Sequence, residues 1–251
     1  MNLHLQDRVV FITGGSKGIG RAIAEAFLHE GANVAVAARG KEELETCQKE
    51  LGVLAIQADL AVESERERAF AEVLKKYGQI DILVNNVGGS NGTTIDQTEL
   101  QTFQEAFDLN YFSAVHFSKL AIHEMKKQSS GSIINISSIF GREAGGKPTY
   151  NGAKAALISF TKSLADEVIK SGIRVNGVAP GSILHPSGNW QKRIDEDPEK
   201  MKAFVEAEIP AGRFGSAEEV ANTVVFLASE KASWVVGATL NVDGGQSKSN
   251  F

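Results

Sequence analysis

The sequence predicts an α/β fold, a doubly wound parallel sheet of about seven strands with helices on both faces, and three observations predict it. Short β-branched runs alternate with stretches of helical period along the first two thirds of the chain, the pattern of a parallel sheet covered on both sides. A glycine-rich turn, Gly14-Gly-Ser-Lys-Gly-Ile-Gly20, falls between the first apolar run and the first helical stretch. A length of 251 residues, 42% of them hydrophobic, suits one substantial core, so residues 1–251 are expected to form a single domain.

Taken in order, Val9-Val10-Phe11-Ile12 reads as a buried strand, and Ile23, Phe27 and Leu28 recur at helical spacing in residues 21–30. Residues 34–38, 53–57, 82–85, 132–137, 173–178 and 239–242 read as the further strands. Helical stretches are expected at about 41–51, 62–77, 99–128, 150–171 and 217–228. Residues 182–213 are the outlier: Pro186, Gly188, a charged run at 192–200, Pro210 and Gly212 break any period, and no strand is expected there. An insertion of that length in one domain is expected to be a substrate lid. In a doubly wound sheet the ligand crevice lies beyond the carboxyl ends of the strands. Thr13-Gly14, Arg39, Asp59, Asn85 to Gly88, Ser137-Ser138 and Pro180-Gly181 should therefore gather on one edge.

The glycine turn carries the first chemistry. Glycine permits positive φ and lets backbone amides approach a ligand closely, while the helix start behind it offers unpaired N–H groups and partial positive charge. That is a cradle for a pyrophosphate. The glycines at 14, 18 and 20 form GxxxGxG, and no GxxxxGK[ST] is present, which excludes a P-loop phosphotransferase. An acidic ribose-binding residue would stand at the end of the second strand, but Arg39 stands there. Its planar donors suit a 2′-phosphate, and Lys17 adds a second cation, so the pattern points to NADP(H) over NAD(H).

Proton chemistry is suggested by Tyr150 and Lys154, which at i and i+4 share one helix face. A cation about 6 Å from a phenol at an effective dielectric near 20 favours phenolate by roughly 3 kcal/mol, bringing an acid of pKa near 10 into useful range. Ser137 and Ser138, at a strand end, offer a hydroxyl to orient a substrate oxygen. Phe103, Phe107, Asn110, Ala114, Phe117 and Ala121 recur at spacings of four and three, which sets Asn110 on the buried stripe of a long helix, where its amide must find partners.

Thr13 to Gly20, Asp59-Leu60, Asn85-Asn-Val-Gly88, Asp108-Leu-Asn110, Asn135-Ile-Ser-Ser138, Tyr150-Asn-Gly-Ala-Lys154, Pro180-Gly181 and Asp243-Gly-Gly245 together resemble the motifs of the short-chain dehydrogenase/reductase family, in the style of 3-oxoacyl-[acyl-carrier-protein] reductases and their relatives acting on sugars, steroids and small ketones. The resemblance implies a Rossmann-type sheet and a catalytic tetrad of Asn110, Ser138, Tyr150 and Lys154. Hydride would pass between nicotinamide and a carbonyl or secondary-alcohol carbon. In that scheme Tyr150 gives or takes the proton, Ser138 orients the oxygen, Lys154 lowers the phenol pKa and grips the nicotinamide ribose, and Asn110 holds a water that links Lys154 to solvent. It further implies cofactor contacts from Gly14, Ser16, Lys17, Gly18, Ile19, Gly20, Arg39, Asp59 (toward the adenine amino group), Leu60, Asn86, Val87, Gly88, Pro180, Gly181 and Ile183, as well as from Tyr150 and Lys154. No metal is required.

Three departures stand out from the family pattern. Val87 replaces the usual alanine, and His185 stands where a threonine commonly holds the nicotinamide carboxamide. As a loop histidine, His185 is expected to face solvent. The family's serine is the second of such a pair, two residues before x-Gly, which selects Ser138; yet Ser138 and Tyr150 are twelve residues apart, one fewer than the common spacing, which implies a shortened loop and leaves Ser137 as the weaker candidate. The resemblance also implies homotetramers built on helices such as 150–171, where Ala153, Ala156, Phe160 and Ser163 form a small-residue stripe.

Composition excludes other classes. A formal charge of −5 lacks the basic surface that nucleic acid requires. The single Cys47 allows no intramolecular disulfide and no thiolate-rich zinc site, which fits a cytoplasmic protein. The first residues lack the pattern of a signal peptide, and no apolar run nears the roughly 18 residues of a membrane span. The substrate is expected to be a small-molecule or acyl-thioester carbonyl. Ile183, Leu184, Trp190, Met201, Phe204 and Ile209 offer an apolar lining, with Arg193 or Lys200 for an anionic handle. A 3-oxoacyl-[acyl-carrier-protein] reductase is the leading reading, with an NADP-linked sugar, steroid or small-alcohol dehydrogenase beside it. A non-catalytic NADP(H)-binding sensor or scaffold is the rival of another class.

Overall fold

Alternation along a strand decides which face each apolar residue feeds, and β1 (Val9–Thr13), buried throughout, feeds both. Val10 and Ile12 pack with Ile23 and Phe27 of α1 (Gly18–His29), Leu44 and Cys47 of α2 (Lys41–Leu51), and Val220 and Val224 of α9 (Ala217–Ala228). Val9 and Phe11 pack on the other side with Phe70 of α3 (Glu63–Tyr77), Phe117 of α5 (Ser113–Lys127) and Ala165 of α6 (Pro148–Val168). The Phe11 ring meets Phe117 edge-on, with centroids 5.5 Å apart. Two apolar cores separated by one sheet result. The structure, a computed structural model, describes residues 2–250, so the first and last residues of the predicted domain lie outside the described residues.

The sheet adds β2 (Asn33–Ala38), β3 (Leu54–Gln57), β4 (Ile82–Asn85), β5 (Gly131–Ile136), β6 (Ile173–Pro180) and β9 (Thr239–Val242). Its order is β3-β2-β1-β4-β5-β6-β9, and every pairing is parallel. Strand order reverses between β1 and β4, and the glycine turn follows β1, so the crevice opens beside it. This is the single-domain Rossmann-type sheet that the alternation predicted. Among the described residues, no helix is long and apolar enough to cross a membrane.

Four details differ from the periodicity. The stretch 99–128 is not one regular helix: α4 (Leu100–Phe107) runs through a wider π turn, Asp108–Phe112, into α5. One extra residue per turn leaves the apolar stripe legible and shifts its phase at Asn110. The predicted strandless connection contains β7 (Ile183–Leu184), which pairs with β8 (Gly215–Ser216), a bridge too short to carry a period. Its remainder folds as α7 (Asn189–Glu196) and α8 (Pro198–Glu208) around a small aromatic cluster, with Trp190 4.9 Å from Phe204 and 5.3 Å from Phe214. The small-residue stripe on α6 is split, because Ala153 is fully buried inside the subunit and Phe160 meets Tyr111 at 6.0 Å, leaving Ser163 exposed.

Arg174 on β6 closes the end of α9. Its Nη1 donates to the carbonyls of Leu227 (2.7 Å) and Ala232 (3.1 Å), and its Nη2 to those of Ala228 and Ser229 (both 2.9 Å). The last carbonyls of a helix have no intrahelical partners, and a charged donor is worth more to them than a neutral one. Arg174→Met is expected to destabilise the fold by about 3 kcal/mol, a fall in Tm of roughly 6–12 °C for a chain of this size by calorimetry.

Candidate active site

The glycine turn is held from both sides. Gly14 and Gly18 adopt φ of +69° and +56°, a region that side chains rarely enter. The Gly14 N–H donates to the Ala37 carbonyl at 2.7 Å. Just past β4, the Asn86 amide donates to the carbonyls of Thr13 (3.0 Å) and Gly14 (2.9 Å), while Thr13 Oγ1 accepts from the N–H groups of Asn86 and Val87. Gly20 has no room for a side chain: a Cβ would overlap the Gly14 carbonyl oxygen and lie 2.6 Å from Asn86 Nδ2. The turn is thus rigid before any ligand arrives.

A cleft of about 600 Å³ opens above it and gathers all the expected cofactor-contact residues: Gly14, Ser16, Lys17, Gly18, Ile19 and Gly20 from the turn, Arg39 after β2, Asp59 and Leu60 after β3, Asn86 to Gly88 after β4, and Pro180, Gly181 and Ile183 at and beyond the end of β6. Arg39 is exposed and, among the described residues, forms no ion pair, so its guanidinium is available to an anion. Lys17 Nζ lies 3.7 Å from Glu43 Oε1 on the first turn of α2. Glu43 was not legible as a site residue, because three positions past Gly40 it reads as an ordinary acidic helix start.

The floor of the cleft holds the tyrosine. The Ser138 hydroxyl hydrogen-bonds the Tyr150 phenol and accepts from the Phe140 N–H at 3.1 Å. Ser137 turns away, its buried hydroxyl donating to the Lys154 carbonyl at 3.1 Å. Ser138 is therefore the serine that meets the phenol. Lys154 is only 3% exposed; its Nζ lies 5.6 Å from the centre of the Tyr150 ring and donates to the Ile136 carbonyl at 2.8 Å. Burial lowers its pKa to about 8, so the ammonium still predominates at neutral pH. Burial also pushes the Tyr150 phenol up, and the Ser138 hydrogen bond pulls it partly back. The expectation that Lys154 would bring the phenol into useful range is corrected for the free chain: desolvation is the larger effect and raises the phenol, and the opposing pull comes from Ser138.

Asn110 lies behind Gly88 and Gly89 and not in the cleft wall. Its Nδ2 donates to Gly89 and Ala106 carbonyls at 2.9 Å, and its Oδ1 accepts from the Gly89 N–H at 3.1 Å. Both donors are spent, which leaves one lone pair on Oδ1 for a further partner. A Cβ on Gly88 would lie 2.7 Å from that oxygen and 3.2 Å from Lys154 Nζ, so the two groups converge on one point.

The lid corrects the substrate expectations. Ile183 and Trp190 line the cleft, but Leu184, Met201, Phe204 and Ile209 do not. Met201 and Ile209 are buried, and Phe204 stacks on Trp190 within the lid. Neither Arg193 nor Lys200 reaches the cleft; the Arg193 guanidinium lies 4.8 Å from the Trp190 ring centre. Polar residues that periodicity could not find complete the wall, namely Ser90, Ser187 and Asn189. His185 is not a solvent-facing loop residue but a half-buried part of the wall.

The family model described as enoyl-(acyl carrier protein) reductase matches residues 14–247. The chain is 36% identical over 250 residues to the 3-oxoacyl-[acyl-carrier-protein] reductase FabG of Escherichia coli (strain K12), covering 97% of this chain and 98% of that protein. It is 38% identical over 241 residues to the FabG of Staphylococcus aureus (strain Mu50), covering 93% and 96%. The solved structure of L-sorbose reductase from Gluconobacter frateurii, complexed with NADPH and L-sorbose, superposes with a TM-score of 0.92 at 35% identity, over 99% of this chain and 100% of that one. With the parallel sheet, the glycine turn and the Ser138–Tyr150–Lys154 cluster in one cleft, these matches establish that the chain belongs to the short-chain dehydrogenase/reductase family of NAD(P)-dependent oxidoreductases.

Proposed function

We propose that this protein is an NADP(H)-dependent reductase of small polyhydroxylated ketones, running the reverse oxidation of the corresponding alcohols. The observation that carries it is the phenol of Tyr150, hydrogen-bonded to Ser138 and 5.6 Å in ring-centre distance from the Lys154 ammonium, at the floor of the cleft that holds the glycine turn. When bound, NADPH supplies the hydride. The chain does the rest: Ser138 orients the carbonyl oxygen, Tyr150 protonates it as charge develops, and Lys154 holds positive charge beneath the phenol and grips the nicotinamide ribose. Asn110 keeps the loop after β4 in place and offers its remaining lone pair to a water beside Lys154. Arg39 and Lys17 support NADP(H) over NAD(H), since both line the cleft as cations suited to a 2′-phosphate, with no acidic residue directly after β2 to hold a free 2′-hydroxyl. An intact acid–base cluster disfavours a non-catalytic sensor, which has no use for Tyr150.

The sugar reading draws on the L-sorbose reductase likeness and on the hydroxyl- and amide-rich wall of Ser90, Ser187 and Asn189. The second reading, a 3-oxoacyl-[acyl-carrier-protein] reductase, draws on the sequence relatives at 36–38% identity, but no cation of the lid faces the cleft to meet an acidic carrier. A homotetramer belongs to the same proposal, supported by Leu100 and Phe112, which stand exposed on α4 and the π turn. Oxidation of NADPH, followed by absorbance across ketoses and acetoacetyl thioesters, tests the assignment. Ketoses are expected to exceed thioesters in kcat/KM by at least about tenfold, and NADPH to exceed NADH likewise; the opposite substrate order would favour the acyl-carrier reading.

A further inference from the structure

The imidazole of His185 lies flat between two glycines from opposite walls. A Cβ on Gly18 would lie 2.9, 3.0 and 3.2 Å from Cε1, Nε2 and Nδ1; one on Gly188 would lie 2.8 and 2.9 Å from Nε2 and Cε1. Near-equal distances to several ring atoms mean that a ring face meets each Cα. Gly18 opens α1, so the ring covers the amide end of the helix at which the turn cradles a pyrophosphate. Gly188 starts α7, and its N–H donates to the His185 carbonyl at 2.9 Å, so the ring belongs to the first turn of the lid. The same residue lines both the cofactor cleft and a second cavity of about 570 Å³.

Charges of both signs surround it, and of these Lys17 acts most directly on the ring. Lys17 of the turn faces the ring, and burial with that neighbour holds the imidazole below its ordinary value. Arg21 and Glu25 of α1, Glu42 and Glu43 of α2, and Glu218 beside it on α9 share the second cavity. Arg21 is engaged by Glu25 at 2.9 Å and Glu50 at 2.5 Å, and Lys17 by Glu43. Among the described residues, no carboxylate pairs with His185 itself; its Nδ1 has the Ser187 hydroxyl at 3.3 Å. Burial and Lys17 therefore bias His185 toward its neutral form in the free chain, and negative charge arriving at the glycine turn would oppose that bias.

We propose that His185 is a proton-linked latch on the dinucleotide: as the pyrophosphate settles on the glycine turn beside the ring, the imidazole takes up a proton from solvent, pairs with the phosphates and holds the lid's first turn against them. This rests on the reading that the chain binds NADP(H). Binding then tightens as pH falls between the bound and free titrations, by up to tenfold per pH unit, and levels off outside that window.

Calorimetric titration of the full chain with NADPH, in buffers of different ionisation enthalpy, measures the proton count. The 2′-phosphate of the ligand titrates near pH 6 by itself, so the readout is the difference between wild type and His185→Gln. Wild type is expected to take up more protons than the variant, and to lose affinity more steeply as pH rises. A second readout, the His185 Cε1–H resonance of the wild type, is expected to titrate at higher pH with NADPH than without. Equal proton counts, or an unmoved resonance with NADPH bound, overturn the latch while leaving dinucleotide binding intact. Failure of wild type to bind either NADPH or NADH overturns the dinucleotide reading and the latch with it.

Discussion

Tyr150→Phe is expected to lower kcat/KM for carbonyl reduction by about 10³-fold while NADPH binding, read by cofactor fluorescence, stays within twofold. The variant removes one oxygen from the floor of the cleft and keeps the ring, so its contact with the Lys154 ammonium is preserved. What is lost is the hydroxyl that meets Ser138 and can deliver a proton to an oxygen held there. The pH dependence gives a second test. Reduction needs the phenol protonated and is helped by the Lys154 ammonium; both are lost as pH rises, the ammonium through about 8. The reduction rate should therefore fall on the alkaline side alone. Oxidation needs phenolate beside ammonium, which makes its profile bell-shaped. Turnover by Tyr150→Phe within a few-fold of wild type would remove this mechanism.

Gly20→Ala is expected to weaken NADPH binding by at least about 100-fold, or about 2.7 kcal/mol, with the circular dichroism of the fold retained. The added methyl meets the Gly14 carbonyl oxygen and the Asn86 amide, at 2.6 Å from the latter. Neither can retreat cheaply. Gly14 is tied to Ala37 on β2, and the Asn86 amide is the clamp between the turn and β4. Relief must come from moving the turn off the start of α1, which dismantles the cradle. Gly52→Ala is the matching control: at φ +71° with open space around it, it is expected to cost about 1 kcal/mol of stability and to leave the cofactor untouched. Binding by Gly20→Ala within threefold of wild type would show that the turn does not hold the dinucleotide.

Much of the site was legible because it is written locally. Residues 14–20 announce a strand-to-helix turn by composition, and Tyr150 and Lys154 share a helix face by spacing. Asn110 shows that periodicity has a limit: the stripe placed it on a buried face, but the π turn decided that its amide would grip Gly89 and converge with Lys154 on Gly88. The two serines of β5's end were indistinguishable by type, and only the path of α6 gave one to the phenol and the other to a carbonyl. Glu43 beside Lys17, and Trp190 folded onto Phe204 within the lid, carried no local pattern at all.

By itself, the order of residues determined the sheet, its parallel sense and the edge on which polar strand ends collect, because those follow from short-range periodicity and from the handedness of strand-helix-strand connections. Tertiary structure alone decided the electrostatics: how far burial raises the Tyr150 phenol and lowers Lys154, and that His185 lies between Gly18 and Gly188 instead of in water. Desolvation depends on every atom that crowds a group from distant parts of the chain, and no spacing along the sequence encodes that sum.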